Sequence, residues 1–150
     1  MKVYKLDKQT DYELRIAITK LMMEQMDALS SSVTEEDLLQ TIDLALEEHS
    51  GAEIFVAETD NKIVGCAFLN SGIGLEKGGP YIWLNDLYVQ REYRRQGIAK
   101  KLLLKVLYWA EQKGFKGIEL ETGINNAATK KLYNSLGFYD IVSKRYGRHI

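Results

Sequence analysis

The order in which helical and strand-like patterns follow one another along the chain restricts it to one fold class. After a short opening strand come two amphipathic helix patterns. A β-rich hairpin over Glu53–Glu58 and Lys62–Leu69 follows, with its turn at Asp60 and Asn61. Strands and helices then alternate. Helices that flank an antiparallel hairpin favour an α+β fold with a mixed sheet over a fully wound parallel one. A length of 150 residues predicts a single domain over residues 1–150.

Capping residues and glycines set the predicted boundaries of the other elements. Thr10 with Glu13, and Thr34 with Asp37, have capping-box spacing at the starts of the first two helices. The four glycines within residues 71–80 predict an exposed, mobile loop. The remaining predicted elements are strands at Val3–Leu6, Tyr81–Val89, Gly117–Thr122 and Phe138–Arg145, and helices at Gly97–Lys113 and Asn126–Leu136.

Composition excludes several classes of function. The 20 basic and 21 acidic residues give a formal net charge of −1, which argues against nucleic acid as a partner. The single cysteine, Cys66, excludes an internal disulfide, and the two histidines lack the spacing of metal ligands. No apolar run reaches the ~20 residues of a membrane span, and the first residues lack a signal-peptide core. The sequence therefore predicts a cytoplasmic protein without a metal or a membrane partner.

The segment between the fourth predicted strand and the helix that follows it is the most informative for function. It reads L-N-D-L-Y-V-Q-R-E-Y-R-R-Q-G-I-A-K. Gly97 leaves backbone amides uncovered where a helix begins, and free N–H groups together with the helix dipole favour an anion there. Arg94, Arg95 and Lys100 add positive charge, so a diphosphate would be held without a metal. The motifs of a P-loop and of a dinucleotide-binding turn are absent from the sequence.

A second informative segment is I-E-L-E-T-G-I-N-N-A-A-T-K-K-L-Y-N-S-L-G-F. In it a strand ends, Asn126 opens a helix and Tyr133 follows seven residues later. Seven residues are close to two helical turns, so the two side chains face the same side. Taken alone, an N-cap asparagine and a core tyrosine would account for both residues.

Together the two segments resemble the acetyl-CoA signature of the GNAT N-acetyltransferase superfamily. The resemblance rests on R-x-x-G-x-A at Arg94, Gly97 and Ala99, on the preceding L-Y-V and on N-A-A-T-K-K-L-Y-N-S-L-G-F, and it covers roughly Ile63 to Phe138. It implies a mixed, mostly antiparallel central sheet that is flanked by helices and splayed at the strand that binds the cofactor.

The resemblance also implies where acetyl-CoA would bind. Amides from Arg95 to Lys100 would cradle the pyrophosphate, and main-chain groups of Leu87 and Val89 would pair with the pantetheine arm, which Asn126 would also contact. Tyr133 matches the tyrosine that the family places near the thioester sulfur. The implied cofactor-binding residues are Leu87, Tyr88, Val89, Arg94, Arg95, Gln96, Gly97, Ile98, Ala99, Lys100, Asn126 and Tyr133.

The implied reaction is acetyl transfer from the thioester to a primary amine. Such an amine, with a pKa near ~10.4, is mostly ammonium at neutral pH and must lose a proton before it attacks. Tyr133 would donate a proton to the departing thiolate, and the Leu87 N–H would stabilise the oxyanion.

The base is the less determined part of this mechanism. Family members that act on polyamines carry Glu-Asp where this chain has Asn85 and Asp86. Asn85 cannot accept a proton, so Asp86 is the preferred base, acting through water. Glu119 and Glu121, which share one face of the next strand, are the alternatives. A solvated or ion-paired surface position would equally explain each of these carboxylates.

The leading hypothesis is therefore an acetyl-CoA-dependent N-acetyltransferase that acts on a polyamine, an aminoglycoside or a lysine-like side chain. The rival hypothesis is a non-catalytic acyl-CoA sensor that regulates a partner. Only twelve residues follow Phe138, whereas many relatives have two strands in this region. The sequence therefore predicts a homodimer in which the second subunit completes the substrate side.

Overall fold

The computed structural model describes residues 1–122 and 126–150, in which five strands form one sheet and four helices lie on its two faces. The elements are β1 (Lys2–Lys5), α1 (Tyr12–Ala28), α2 (Glu35–Ala45), β2 (Ala52–Thr59), β3 (Lys62–Gly74), β4 (Gly79–Val89), α3 (Ile98–Lys113), β5 (Ile118–Leu120) and α4 (Ala127–Ser135). A short 3₁₀ turn, Arg91–Tyr93, precedes α3.

The sheet has the strand order β1-β2-β3-β4-β5 and is antiparallel except for its last pair, in which β4 and β5 run parallel. The β2–β3 turn contains Asp60 and Asn61 at φ 52° and 59°. Two successive left-handed residues match the right-handed twist of a two-residue hairpin, and Asp and Asn adopt that conformation more readily than most residues. The predicted α+β fold with a mixed, mostly antiparallel sheet is confirmed.

Helices cover both faces of the sheet. Side chains alternate along β2, so Phe55 and Ala57 face α3 whereas Ile54 and Val56 face α1 and α2. The α3 side is the larger core and also packs against α4. Its helical contribution is the buried stripe Ile98, Leu102, Leu103, Val106 and Ala110.

Strand β4 leaves its neighbour β5 halfway along its length. The parallel pairing ends at Leu84 with Leu120, and on the other edge the register with β3 jumps from Leu84 opposite Leu69 to Asp86 opposite Phe68. Asn85 is therefore the extra residue of a β-bulge, which bends a strand and increases its twist. The predicted splay of the sheet is confirmed at this point.

Three local predictions are wrong. The N-cap of α1 is Asp11, whose carboxylate accepts from the Leu14 N–H, because the Thr10 hydroxyl donates to the Asp7 carbonyl instead. Most of the predicted loop at residues 71–80 is strand, since β3 and β4 stay paired as far as Gly74 opposite Gly79. The predicted strand Phe138–Arg145 is not formed among the described residues, because β5 is only three residues long and offers it little edge to pair with.

The capping box at the start of α2 is confirmed. The Thr34 hydroxyl accepts from the Asp37 N–H at 3.0 Å, and the Asp37 carboxylate accepts from the Thr34 N–H at 3.2 Å. The predicted stop of α3 at Gly114 is also confirmed, at φ 78°. None of the helices in residues 1–122 and 126–150 combines the length and the apolar character needed to cross a bilayer.

Gly65 lets the start of α3 lie close against β3, and this contact generates a prediction. A Cβ at Gly65 would lie 3.1 Å from Leu102 Cδ1 and 3.2 Å from Ile98 Cγ2. We expect Gly65→Val to lower the free energy of unfolding by about 1–3 kcal/mol in urea titrations, because overpacking forces α3 off the sheet. The matched control is Gly72→Val in the same strand, where the nearest atom to a Cβ is 4.0 Å away. Equal losses in both variants would contradict the prediction.

Candidate functional site

The edge of β4 beyond the bulge carries main-chain groups that do not face another described strand. The Gln90 N–H donates to the Val64 carbonyl on β3. Since antiparallel pairing alternates, the N–H and C=O groups of Leu87 and Val89 face away from β3, toward the side that β5 has left. The Val89 carbonyl accepts from Arg94 Nε at 2.8 Å, which agrees with this orientation. The N–H and C=O of Leu87 and the N–H of Val89 are thus available to an extended ligand, and the Val89 carbonyl keeps one lone pair beside its bond with Arg94.

The turn that precedes α3 has the backbone of an anion-binding site. Arg95 is left-handed at φ 65°, and Gly97, the N-cap of α3, is left-handed at φ 77°. A non-glycine residue in this region costs roughly 1–3 kcal/mol, and such strain concentrates at functional sites. No side chain among the described residues caps the helix, whose first ladder bond runs from Lys101 N–H to the Gly97 carbonyl. The amides of Ile98, Ala99 and Lys100 therefore keep the free N–H groups that an anion can accept from.

Positive charge surrounds this turn. Arg94, Arg95 and Lys100 are exposed, and the Arg94 guanidinium lies 5.2 Å from the centre of the Tyr88 ring. The Tyr88 ring and the Val89 carbonyl thus hold one face and one edge of that guanidinium. Its remaining N–H donors can bind a phosphate.

A cavity of about 820 Å³ connects the open edge of β4 to this turn and to α4. It is lined by Asp86 and by all of the predicted cofactor-binding residues except Gln96, which is exposed. A second cavity, of about 490 Å³, lies between α1 and the β2–β3 turn and is lined by none of them.

The two residues predicted to carry the chemistry both line the larger cavity. Burial raises the pKa of the half-buried Tyr133 phenol, whose ring packs edge-on against Phe138 at 5.5 Å between centroids. Asp86 lies opposite Phe68 on the face of the sheet that α1 covers, and burial raises the pKa of its carboxyl. Burial, followed by the charge of Asp86, raises the pKa of the Cys66 thiol to about 12, so that thiol stays neutral and unreactive.

The alternative polar groups are already engaged. Asn85 Oδ1 accepts from Asn70 Nδ2 at 2.8 Å, and the Glu119 carboxylate pairs with Lys77 at 3.2 Å. Glu121 lines the cavity but forms an ion pair with Arg145. Asp86 makes no side-chain hydrogen bond or ion pair within residues 1–122 and 126–150, so it is the carboxylate that is most available to a ligand.

Asn126 caps the start of α4, as expected for an asparagine at the beginning of a helix. It is the N-cap of α4, and its Oδ1 accepts from the Thr129 N–H at 3.1 Å. It also lines the cavity, and capping leaves its Nδ2 donors for a ligand.

Sequence reasoning did not single out the residues at the end of α1 that line this cavity. Gln25 and Leu29, near the end of the helix, line the cavity opposite the β4 edge. The available signal was a polar residue in an apolar stripe, because Gln25 lies four residues after Leu21 and three after Met22, both of which are buried.

Comparisons with known proteins agree with this geometry. The sequence model of the Acetyltransferase (GNAT) family matches residues 17–138. N-acetyltransferase 8 of Homo sapiens is 35% identical over 88 residues, which are 59% of this chain and 39% of that protein. The chain thus spans about two-fifths of the length of this curated relative.

Two solved structures share the fold. A probable acetyltransferase is 22% identical with a TM-score of 0.86, and the match covers 100% of this chain and 98% of that one. An aminoglycoside N-acetyltransferase solved in complex with CoA is 19% identical with a TM-score of 0.81, and the match covers 99% of this chain and 93% of that one.

Proposed function

Because the chain belongs to the Acetyltransferase (GNAT) family, we propose that it transfers the acetyl group of acetyl-CoA to a primary amine. Residues 1–150 would form one acetyltransferase domain. The observation that carries the proposal is that the open edge of β4 and the uncapped start of α3 border the same cavity. A ligand with a diphosphate at one point and an amide-bearing arm at another would satisfy both sets of groups.

The residues present fit the pyrophosphate and the pantetheine arm of coenzyme A. The amides of residues 95–100, with Arg94, would bind the pyrophosphate, and the open edge formed by Leu87 and Val89 would pair with the pantetheine amides as a further strand does. Asn126 Nδ2 would donate to the same arm. The CoA complex of the aminoglycoside N-acetyltransferase, which shares this fold, supports the assignment.

The co-substrate supplies an activated acyl group, and the chain supplies positioning and proton transfer. The Asp86 carboxylate would accept a proton from the bound ammonium through a water molecule, which leaves a neutral amine to attack the acyl carbon. The Leu87 N–H would donate to the acyl oxygen as negative charge develops there. The Tyr133 phenol would give its proton to the departing sulfur, and its raised pKa keeps it protonated at neutral pH.

The acceptor would be a small amine such as a polyamine or an aminoglycoside, or a lysine-like side chain. The aminoglycoside N-acetyltransferase among the structures that share the fold favours a small cationic amine. The Asp86 carboxylate, which has no hydrogen-bond or ion-pair partner in the part of the chain that the structure describes, lies in the cavity and fits the same charge.

We also propose that the protein is a homodimer. The described residues after Leu136 form no helix or strand, and they expose the apolar side chains of Tyr139, Ile141, Val142 and Tyr146. A second copy would cover these side chains and complete the acceptor side of the cavity. Light scattering at micromolar concentration should give twice the 17.1 kDa mass of the chain, and a monomer mass would contradict this proposal.

Arg94 provides the test of cofactor binding. We expect Arg94→Met to weaken coenzyme A binding by roughly tenfold or more in calorimetry, because it removes charge-assisted hydrogen bonds to phosphate. Arg91→Met is the matched control, since Arg91 is an exposed arginine that does not line the cavity. A wild-type protein that does not bind coenzyme A, or equal losses in both variants, would overturn the assignment.

Tyr133 provides the test of catalysis. We expect Tyr133→Phe to lower kcat by roughly 100-fold or more with little change in coenzyme A affinity, because the ring packing stays and the proton donor is lost. Tyr139→Phe, at an exposed tyrosine, is the control. Turnover is measured as thiol release across an amine panel. Unchanged kcat would remove Tyr133 from the mechanism, and tight cofactor binding without turnover on any amine would favour the sensor hypothesis.

The assignment of Tyr133 as the proton donor also predicts how the rate of acetyl transfer depends on pH. A phenol whose pKa is raised above 10.0 stays protonated as the pH rises toward that value. We therefore expect kcat of the wild type to fall, through loss of the Tyr133 proton, only above about pH 10, the ordinary tyrosine pKa. In Tyr133→Phe this fall in kcat at alkaline pH should be absent.

A further inference from the structure

The Glu24 carboxylate near the end of α1 is bound by the side chains of Tyr88 on β4 and of Gln90, which directly follows that strand. Its Oε1 accepts from the Tyr88 hydroxyl at 3.2 Å, and its Oε2 accepts from Gln90 Nε2 at 3.0 Å. Tyr88 and Gln90 are two residues apart, so their side chains lie on one face of the sheet. Hydrogen bonds to an ionised acceptor are stronger than those between neutral groups, so Glu24 fixes the orientation of the Tyr88 ring.

The Tyr88 ring in turn holds the Arg94 guanidinium. The guanidinium carbon lies 5.2 Å from the centre of the ring, and Arg94 Nε donates to the Val89 carbonyl at 2.8 Å. Arg94 is otherwise exposed. An arginine that is free to move loses side-chain entropy when it binds a phosphate, and this loss opposes binding. The ring and the carbonyl therefore preorganise the guanidinium for an anion.

Glu24 reaches this arginine through Tyr88. Among the described residues, Glu24 lines the smaller cavity and not the larger one, which Tyr88 and Arg94 both line. Burial, followed by the Glu24 carboxylate, raises the pKa of the Tyr88 phenol, although the Arg94 charge acts in the opposite direction. The phenol therefore stays protonated at neutral pH and remains a hydrogen-bond donor to Glu24.

We infer that Glu24 is a positioning residue for cofactor binding, which holds Arg94 in place for the pyrophosphate of coenzyme A through the Tyr88 ring. The inference rests on the proposed binding of acetyl-CoA. Positioning and simple electrostatics predict effects of opposite sign. A carboxylate repels a nearby diphosphate, so charge alone predicts tighter coenzyme A binding when the Glu24 carboxylate is removed. Positioning predicts weaker binding when the acceptor oxygens of Glu24 are removed.

Three variants separate the hydrogen bonds of Glu24 from its charge. Glu24→Met removes the charge and both acceptor oxygens but keeps an unbranched side chain of high helix propensity. Glu24→Gln removes the charge and keeps an acceptor oxygen. Glu13→Met, at an exposed position of the same helix, is the matched control. Calorimetry would measure coenzyme A binding to the wild type, to each variant and to Arg94→Met with and without Glu24→Met.

We expect Glu24→Met to weaken coenzyme A binding by roughly threefold to tenfold, the effect of losing one hydrogen bond that orders the site. Glu24→Gln and Glu13→Met should stay within roughly twofold of the wild type, as most surface substitutions do. In the Arg94→Met background, Glu24→Met should cause no further loss, because the residue that it positions is already absent. This dependence on Arg94 separates positioning from a general loss of stability.

Unchanged or tighter coenzyme A binding in Glu24→Met would overturn the inference. An equal loss in Glu24→Gln, or the same loss in the Arg94→Met background, would overturn it as well. Each of these results leaves the proposed function standing, since the wild type still binds coenzyme A. Failure of the wild-type protein to bind coenzyme A would refute the proposed function itself.

Discussion

The departure of β4 from β5 after Leu84 is the constraint on which the candidate site depends. One extra residue, Asn85, bends β4 and ends the parallel pairing with β5. The Leu87 and Val89 main-chain groups then lie beside a cavity of about 820 Å³ and not against a neighbouring strand. Backbone N–H and C=O groups require hydrogen-bond partners, so this edge is a preformed template for an extended, amide-bearing ligand.

The sheet divides the candidate site into two halves, which are connected by a network of hydrogen bonds and one cation–π contact. On one side lie the uncapped start of α3 and the core around Leu87, and on the other lie α1 and the side chains of Asp86 and Tyr88. The Glu24 carboxylate binds the Tyr88 hydroxyl, and the Tyr88 ring lies under the Arg94 guanidinium, which in turn binds the Val89 carbonyl. The end of α1 is thereby linked to the turn before α3 through contacts among these three side chains.

Sequence reasoning succeeded where one local interaction decides the structure. The Thr34 capping box and the left-handed Asp60 and Asn61 of the β2–β3 turn follow from side-chain chemistry within a few residues. It failed where hydrogen bonding between neighbouring strands determines the structure. Glycines between residues 71 and 80 predict a loop, yet β3 and β4 remain paired there because each supplies the other with hydrogen-bond partners. A strand is predicted over Phe138–Arg145, and no adequate strand edge faces it among the described residues.

The sequence by itself determined the turn with free amides before α3, because a helix N-terminus with Gly97 as its cap and arginines beside it is a property of one short segment. It also determined that Tyr133 and Asn126 lie on one side of α4, since helical spacing is local. Only the tertiary structure decided which of Asp86, Glu119 and Glu121 has no ion-pair partner among the described residues. It also decided which side of the sheet Asp86 occupies and that Gln25 lines the same cavity. Those facts depend on the β3–β4 register and on the packing of α1 against β4, and non-local pairing of this kind is not encoded in any single stretch of residues.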